Sequence, residues 1–188
     1  MFVRVISKLL LLGLPLAACE KIDFGGGDDS SIARTDAQGR PLGSANPGEW
    51  TTDLAWNKQE RELFRDLPFA IDGATSPLLR DTRFLLYPNP APKFANFGVD
   101  FQPLGPVRPR IRYALVNRRY RVVQSGTLYS EANVRGAANM LFDFALVLDG
   151  PKLEKGHTYR LYYVMYNELN PGIQGYLCKG HGDVQLAK

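Results

Sequence analysis

Phe142-Asp143-Phe144-Ala145-Leu146-Val147-Leu148-Asp149, and then Tyr159-Arg160-Leu161-Tyr162-Tyr163-Val164-Met165-Tyr166, decide the fold of this 188-residue chain. In the first, Phe142, Phe144, Leu146 and Leu148 take every second position, with Asp143 and Asp149 on the opposite side. That is the two-residue period of a strand with one apolar face. Gly150-Pro151 ends it. In the second, Tyr159, Leu161, Tyr163 and Met165 share one face, and Arg160, Tyr162, Val164 and Tyr166 share the other. Lys155-Gly156 precedes this strand and Asn170-Pro171-Gly172 follows it as a turn signal.

Working outward, the same alternation recurs on both sides. Residues 83–87 form a candidate strand that stops at Pro88-Asn89-Pro90, because proline cannot donate to a ladder. Phe97, Val99 and Phe101 define one apolar face, and Ile111, Tyr113 and Leu115 another. After Asn117-Arg118-Arg119 the chain resumes at residues 120–123, which reads as a hairpin. Residues 175–179 form a further short strand, and residues 183–188 close the domain with Val184 and Leu186 inward. About seven short strands at this spacing predict a mainly β domain over residues 83–188, an antiparallel immunoglobulin-like β-sandwich.

Upstream of the strands the period changes. Leu54, Trp56, Leu63, Phe64 and Leu67 fall mostly on one side of a 3.6-residue repeat, which predicts a short amphipathic helix over residues 52–67. Thr51 or Thr52 caps it and Pro68 stops it. It belongs to a helical lead-in of residues 49–82, and its apolar face, with Trp50 and Trp56, is expected against the sheet. Before it, residues 20–48 hold Gly25-Gly26-Gly27 and Asp28-Asp29-Ser30-Ser31, with few large apolar side chains after Phe24. This composition predicts a flexible tether. Asp28-Asp29 lacks the spaced oxygen ligands of a calcium loop and reads as solvated acid.

The first residues have a different character again. Arg4 and Lys8 precede an apolar run over residues 9–16 that is about half a membrane span and is broken by Gly13 and Pro15. A basic start, a short apolar core and small residues before a cysteine are the three parts of a signal peptide, here residues 1–18. Leu16-Ala17-Ala18-Cys19 resembles the lipobox of bacterial lipoproteins. The resemblance implies acylation of Cys19, which becomes the first mature residue, and a lipid-anchored linker over residues 19–48. Glu20 in place of an aspartate implies the outer membrane of the cell envelope. A weaker resemblance covers residues 83–188. Tyr87-Pro88-Asn89-Pro90-Ala91, and Lys155-Gly156-His157-Thr158-Tyr159 leading into a Tyr-rich strand, are similar to the C-terminal sorting sandwich of type IX secretion cargo. It supports the sandwich more than a secretion role.

Composition limits the chemistry. Two of the charges behind the net +4 belong to Arg4 and Lys8, so the mature chain is only mildly basic, and nucleic acid is not an expected partner. The cysteines are Cys19 and Cys178; with Cys19 lipidated, Cys178 is expected to be a buried, inert thiol. Cys178-Lys179-Gly180-His181 has the spacing of half a metal site, but a zinc site needs three or four ligands. No metal, cofactor or catalytic residue is therefore assigned. The most site-like cluster is Gly180-His181-Gly182-Asp183, where flanking glycines would leave an imidazole exposed beside a carboxylate in a connecting loop. Tyr162 and Tyr166, on the outer face of the preceding strand, are candidate neighbours of His181 and Asp183.

Arg108, Arg110, Arg112, Arg118, Arg119 and Arg121 crowd one hairpin. They are expected on a solvated sheet face, paired across strands with Asp100, Asp143 or Glu131, with attraction of anionic surface glycans or lipid headgroups as the functional counterpart. The binding candidates are thus Arg110, Arg112, Arg119, Arg121, Tyr162, Tyr166, His181 and Asp183. They fit a non-enzymatic envelope module for a glycan or protein partner, held at the membrane by its lipid. The alternative is a small hydrolase or metal-dependent enzyme centred on His181 and Asp183.

Overall fold

In the computed structural model, residues 21–24, 32–43, 48–130, 140–169 and 175–188 are described. The expected signal peptide, Cys19, Asp28-Asp29, Glu131 and the expected turn at Asn170-Pro171-Gly172 lie outside the described residues. Among the described residues, no helix is long and apolar enough to cross a membrane.

The elements in chain order are β1 (Thr51–Thr52), α1 (Lys58–Glu62), β2 (Leu79–Tyr87), β3 (Phe94–Pro103), β4 (Pro109–Val116), β5 (Val122–Tyr129), β6 (Met140–Val147), β7 (Thr158–Asn167) and β8 (Tyr176–Gln185). They form a five-stranded sheet of order β1-β8-β7-β4-β5 and a three-stranded sheet of order β2-β3-β6, antiparallel throughout. The chain is a mainly β, antiparallel sandwich, as the alternation predicts. Phe84, Phe97, Val99, Phe101, Phe142 and Phe144 of one sheet meet Ile111, Leu115, Leu161, Tyr163 and Met165 of the other. Phe84, Phe97 and Tyr163 pack ring to ring across the gap, with centroids 4.7 and 5.1 Å from Tyr163.

The outer face of the five-stranded sheet is covered as well. Ala114, Val116, Tyr162, Val164 and Tyr176 are buried under Ile22, Phe24, Trp56, Phe64 and Ile71. Tyr162 and Tyr163 are adjacent, point to opposite faces, and are both fully buried. The reason is visible in β7: its second face carries Tyr162, Val164 and Tyr166, which is too apolar for a solvated side. Two sequence expectations change with this layer. The stretch assigned to a flexible tether is not free along its length, because Ile22 and Phe24 are docked and Ile22 N donates to Arg118 O at 2.9 Å. Tyr162, expected on an accessible outer face, is inaccessible.

The lead-in also differs from its expectation. The helix is five residues long, closed at its start by a reciprocal cap in which Glu60 N donates to Asn57 Oδ1 (3.0 Å) and Asn57 N to Glu60 Oε2 (2.7 Å). That Asn-x-x-Glu box starts the helix at residue 58, later than a threonine cap would. Thr51 and Thr52, β-branched, pair instead with His181 and Gly180 as an edge strand. Trp56 and Phe64 still face inward, stacked at 5.2 Å, but Leu54 is exposed.

Residues 175–188, expected as two short strands with a loop between them, hold one ten-residue strand, β8. The glycines explain the difference. A Cβ on Gly182 would come within 2.3 Å of the Trp50 ring, and one on Gly180 within 2.2 Å of Thr51 O. They are absent side chains that admit neighbours, and His181 sits between them on the opposite face of a strand. The buried Asn89 of the Tyr87-Pro88-Asn89-Pro90 corner ties this strand to the N-terminal segment: its Nδ2 donates to Ala33 O and Asp183 O, both at 2.9 Å, and its Oδ1 accepts from Gln185 N at 3.0 Å.

Gly182→Ala is expected to cost about 3 kcal/mol or more, because a rigid indole cannot yield to the new methyl. Gly98→Ala, whose Cβ would meet the flexible Leu85 side chain at 2.9 Å and Asp143 Oδ1 at 3.3 Å, is expected to cost less. Denaturant unfolding of the two variants orders them; equal losses would show that Trp50 does not depend on the gap.

Candidate functional site: a basic cleft at one end of the sandwich

The β4–β5 turn is shaped by one side chain. Asn117 Oδ1 accepts from Arg119 N (3.0 Å) and Arg121 N (3.2 Å), while Asn117 N donates to Arg121 O (3.0 Å). An asparagine that bonds its own turn in this way holds the neighbouring residues outward. Arg118, Arg119 and Arg121 are exposed, and Tyr120, at φ +56°, folds back so that its ring lies 6.2 Å from Tyr162.

Opposite this turn is the β6–β7 connection. Gly156 takes a φ of +75°, and Glu154 N donates to Tyr159 Oη at 2.8 Å, which pins the loop to the first turn of β7. Phe24 and Ile32 form a third wall, with the Phe24 ring beneath the guanidinium groups of Arg118 (5.4 Å) and Arg160 (5.6 Å). Together they enclose an open cleft of about 700 Å³. Arg118, Arg119, Arg121 and Lys152 line it, and among the described residues of the lining Glu154 is the one carboxylate, with His157 3.5 Å from it. Among the described residues, no carboxylate lies in ion-pair range of Arg118, Arg119 or Arg121. Several cations that face no carboxylate among the described residues, over a cavity of ligand size, have the chemistry to attract anions.

The remaining arginines of the hairpin do other work. Arg110 is buried: Nη2 donates to Glu168 at 2.6 Å, Nη1 to Ser130 O at 3.0 Å, and the guanidinium lies 4.7 Å from the Tyr129 ring. Arg112 pairs with Asp66 at 3.0 Å, and Tyr166 packs on Phe69 at 5.4 Å. Arg110 and Arg112 are therefore neither on a solvated face nor paired with Asp100 or Asp143; Asp143 instead accepts from Tyr87 Oη at 2.6 Å. The cause is the outer layer, which brings Asp66 and Phe69 onto a face expected to meet water. Since a strand rises about 3.3 Å per residue, Arg110 and the 118–121 turn are roughly 20 Å or more apart. The candidate set thus divides, with Arg119 and Arg121 in the cleft.

His181 and Asp183 do not form a pair. The Arg160 guanidinium closes on Asp183 with two bonds, Nε to Oδ1 at 2.7 Å and Nη2 to Oδ2 at 2.9 Å. His181 Nδ1 instead meets Asp53 Oδ2 at 2.7 Å, and Trp56 Nε1 donates to that same oxygen at 2.6 Å. Tyr162 Oη donates to Glu60 Oε1 at 3.1 Å. Lys179, almost fully buried, donates to Leu54 O (3.2 Å) and Ile71 O (2.9 Å), and burial pushes its ammonium down. The His181, Tyr162 and Lys179 bonds fasten the outer layer to β7 or β8, and the Arg160–Asp183 pair joins those two strands. Cys178 is a free, fully buried thiol whose ionisation burial pushes up, so it is not an activated nucleophile. Among the described residues, no three His, Cys, Asp or Glu side chains gather as a metal site.

Asp53 escapes sequence reasoning because it is 128 residues from His181. Arg118 and Lys152 escape as site residues for a different reason: a charge in a turn carries no mark of the loop it will face. The Asn117-Arg118-Arg119 turn itself is the legible signal.

No family model matches the chain, and no curated protein matches it. Among solved structures it is similar to a Bacteroides fragilis protein described as a beta-galactosidase, at 10% identity and a TM-score of 0.34 over 57% of this chain. The chain spans 15% of that protein's length, and a likeness this remote says nothing about activity.

Two outcomes test the network beside the cleft. Asp183→Asn leaves Arg160 without its countercharge and is expected to cost about 3 kcal/mol, read by chemical unfolding. Glu49, whose Oε2 accepts from Ala33 N at 2.8 Å, has its pKa pushed up to about 7, mainly by burial and further by Asp183. The native state then holds this proton where the unfolded chain has released it. Stability contributed by Glu49 is present below pH 4.5 and is lost as the pH rises to about 7. Glu49→Gln is expected to flatten the melting temperature across that window; an unchanged slope would place the titration elsewhere.

Proposed function

We propose that this chain is an exported cell-envelope protein, lipid-anchored through Cys19 at the outer membrane, whose sandwich is a non-enzymatic binding module for an anionic envelope component. The observation that carries the binding part is the cleft: Arg118, Arg119, Arg121 and Lys152 face about 700 Å³ of open space, with Glu154 the one carboxylate among the described lining residues. The leader carries the address, since Leu16-Ala17-Ala18-Cys19 follows a basic start and a short apolar run. The enzyme alternative on His181 and Asp183 gains no support, because both side chains are engaged by Asp53 and Arg160 in bonds that hold the fold.

Intact mass of the protein extracted from membranes is expected to show acyl chains on Cys19, and Cys19→Ala to abolish them. Retention of the same protein on heparin, a soluble polyanion probe, is expected to weaken by about tenfold in Arg119→Ala/Arg121→Ala, with the difference vanishing at high salt. Arg112→Ala, which removes a cation already paired with Asp66, is expected to leave retention unchanged. Equal retention of all three proteins would reject the cleft as the binding surface.

A further inference from the structure

The cleft and the proposed anchor are joined by very little chain. Ile22 is three positions after Cys19 and Phe24 is five. A chain reaches at most about 3.6 Å per residue, so Cys19 lies within about 11 Å of Ile22. Ile22 is buried and its N–H is bonded to Arg118 O in the wall of the cleft. Phe24 is buried beneath Arg118 and Arg160. A lipid on Cys19 would therefore hold the domain close to the membrane surface, at the end that carries the cleft.

We infer that the basic cleft docks on the bilayer that holds the anchor, taking its anionic phosphate headgroups as ligand. This rests on the proposed lipidation of Cys19 and names the partner of the same cleft. The charge fits that partner. Arg118, Arg119, Arg121 and Lys152 are exposed and Lys21, also exposed, adds a cation beside the anchor, against Glu154 in the lining. Headgroup attraction is felt over about 8 Å at physiological salt, comparable with the reach of the anchor. Guanidinium forks match phosphate oxygens in geometry as well as charge. Among the described residues at the opposite end of β4, Arg108 and Arg110 are bound to Glu168. Docking thus selects one end of the sandwich, leaving the far end directed away from the membrane.

The test is hydrogen exchange of the full lipoprotein in phosphatidylcholine vesicles with and without phosphatidylglycerol, its acylation checked by intact mass. Amides of residues 117–121 and 152–158 are expected to slow only in the anionic vesicles, while residues 104–108 at the far end do not change. High salt is expected to remove the protection. Each cation at an anionic surface changes occupancy by roughly fivefold, so Arg119→Glu/Arg121→Glu is expected to reduce protection by more than about tenfold. Arg80→Glu, exposed on β2, is expected to leave it intact. Equal exchange in both vesicle types with the acyl mass present overturns the inference while leaving the anchor standing. Protection by soluble heparin in phosphatidylcholine vesicles, without an effect of phosphatidylglycerol, overturns it in favour of a glycan. A chain without acyl mass removes the anchor and the inference together.

Discussion

The structure depends on β7 and β8 being buried from both sides. Tyr162 and Tyr163 occupy consecutive positions and both are out of contact with water. A sandwich of two sheets buries only one of them. The second requires a further layer, and the residues that supply it come from the N-terminal quarter and the segment around α1, where regular structure is sparse. Burial of a large apolar side chain contributes about 1.5–3 kcal/mol, so Ile22, Phe24, Trp56, Phe64 and Ile71 together outweigh what a five-residue helix could contribute through its own hydrogen bonds. Irregular backbone is held here by side chains that reach the sheet.

That covering also settles the electrostatics. A charge placed under the layer needs a partner, and each such group has one: Arg160 with Asp183, Arg112 with Asp66, Arg110 with Glu168, and Lys179 with two carbonyl oxygens. A charge outside the layer needs none, because water solvates it. Arg118, Arg119 and Arg121 belong to this second group, and because no carboxylate among the described residues pairs with them, they give the described part of the cleft its positive potential. The same residue type is thus structural at one end of the hairpin and available at the other.

What was legible in the sequence follows the same division. The faces of β3, β4, β6 and β7 that meet between the sheets could be read from alternation alone, because each has apolar side chains at every second residue. The outer layer could not, although β7 hinted at it with Tyr162, Val164 and Tyr166 on its second face. Nothing near those residues says what covers them, since the covering side chains lie about a hundred residues earlier. Glycine misled in β8 for a related reason. Gly180 and Gly182 suggest a loop when read locally, and only the Trp50 ring and the Thr51 carbonyl beside them show that they are gaps in a strand. Of the candidate site, Arg119 in the turn after Asn117 and Arg121 in the strand expected to follow were visible as solvated arginines, whereas Lys152 and the Phe24 wall required the fold.

The short connection between anchor and sheet changes what a modest site can do. A cluster of solvated arginines is weak for a ligand free in solution, where each exposed ion pair contributes about 0–1 kcal/mol. A flexible tether of some thirty residues would leave the domain to sample a wide volume above the bilayer. Docking of Ile22 and Phe24 removes most of that freedom and leaves two residues between the proposed site of lipidation and the folded body. For a ligand in the same membrane, a lipid on Cys19 would raise the effective concentration to about the millimolar range without any new contact. With the proposed anchor in place, the apolar residues that cover Tyr162 and Val164 would act on binding as well as on stability, because they would set which end of the sandwich the anchor holds down.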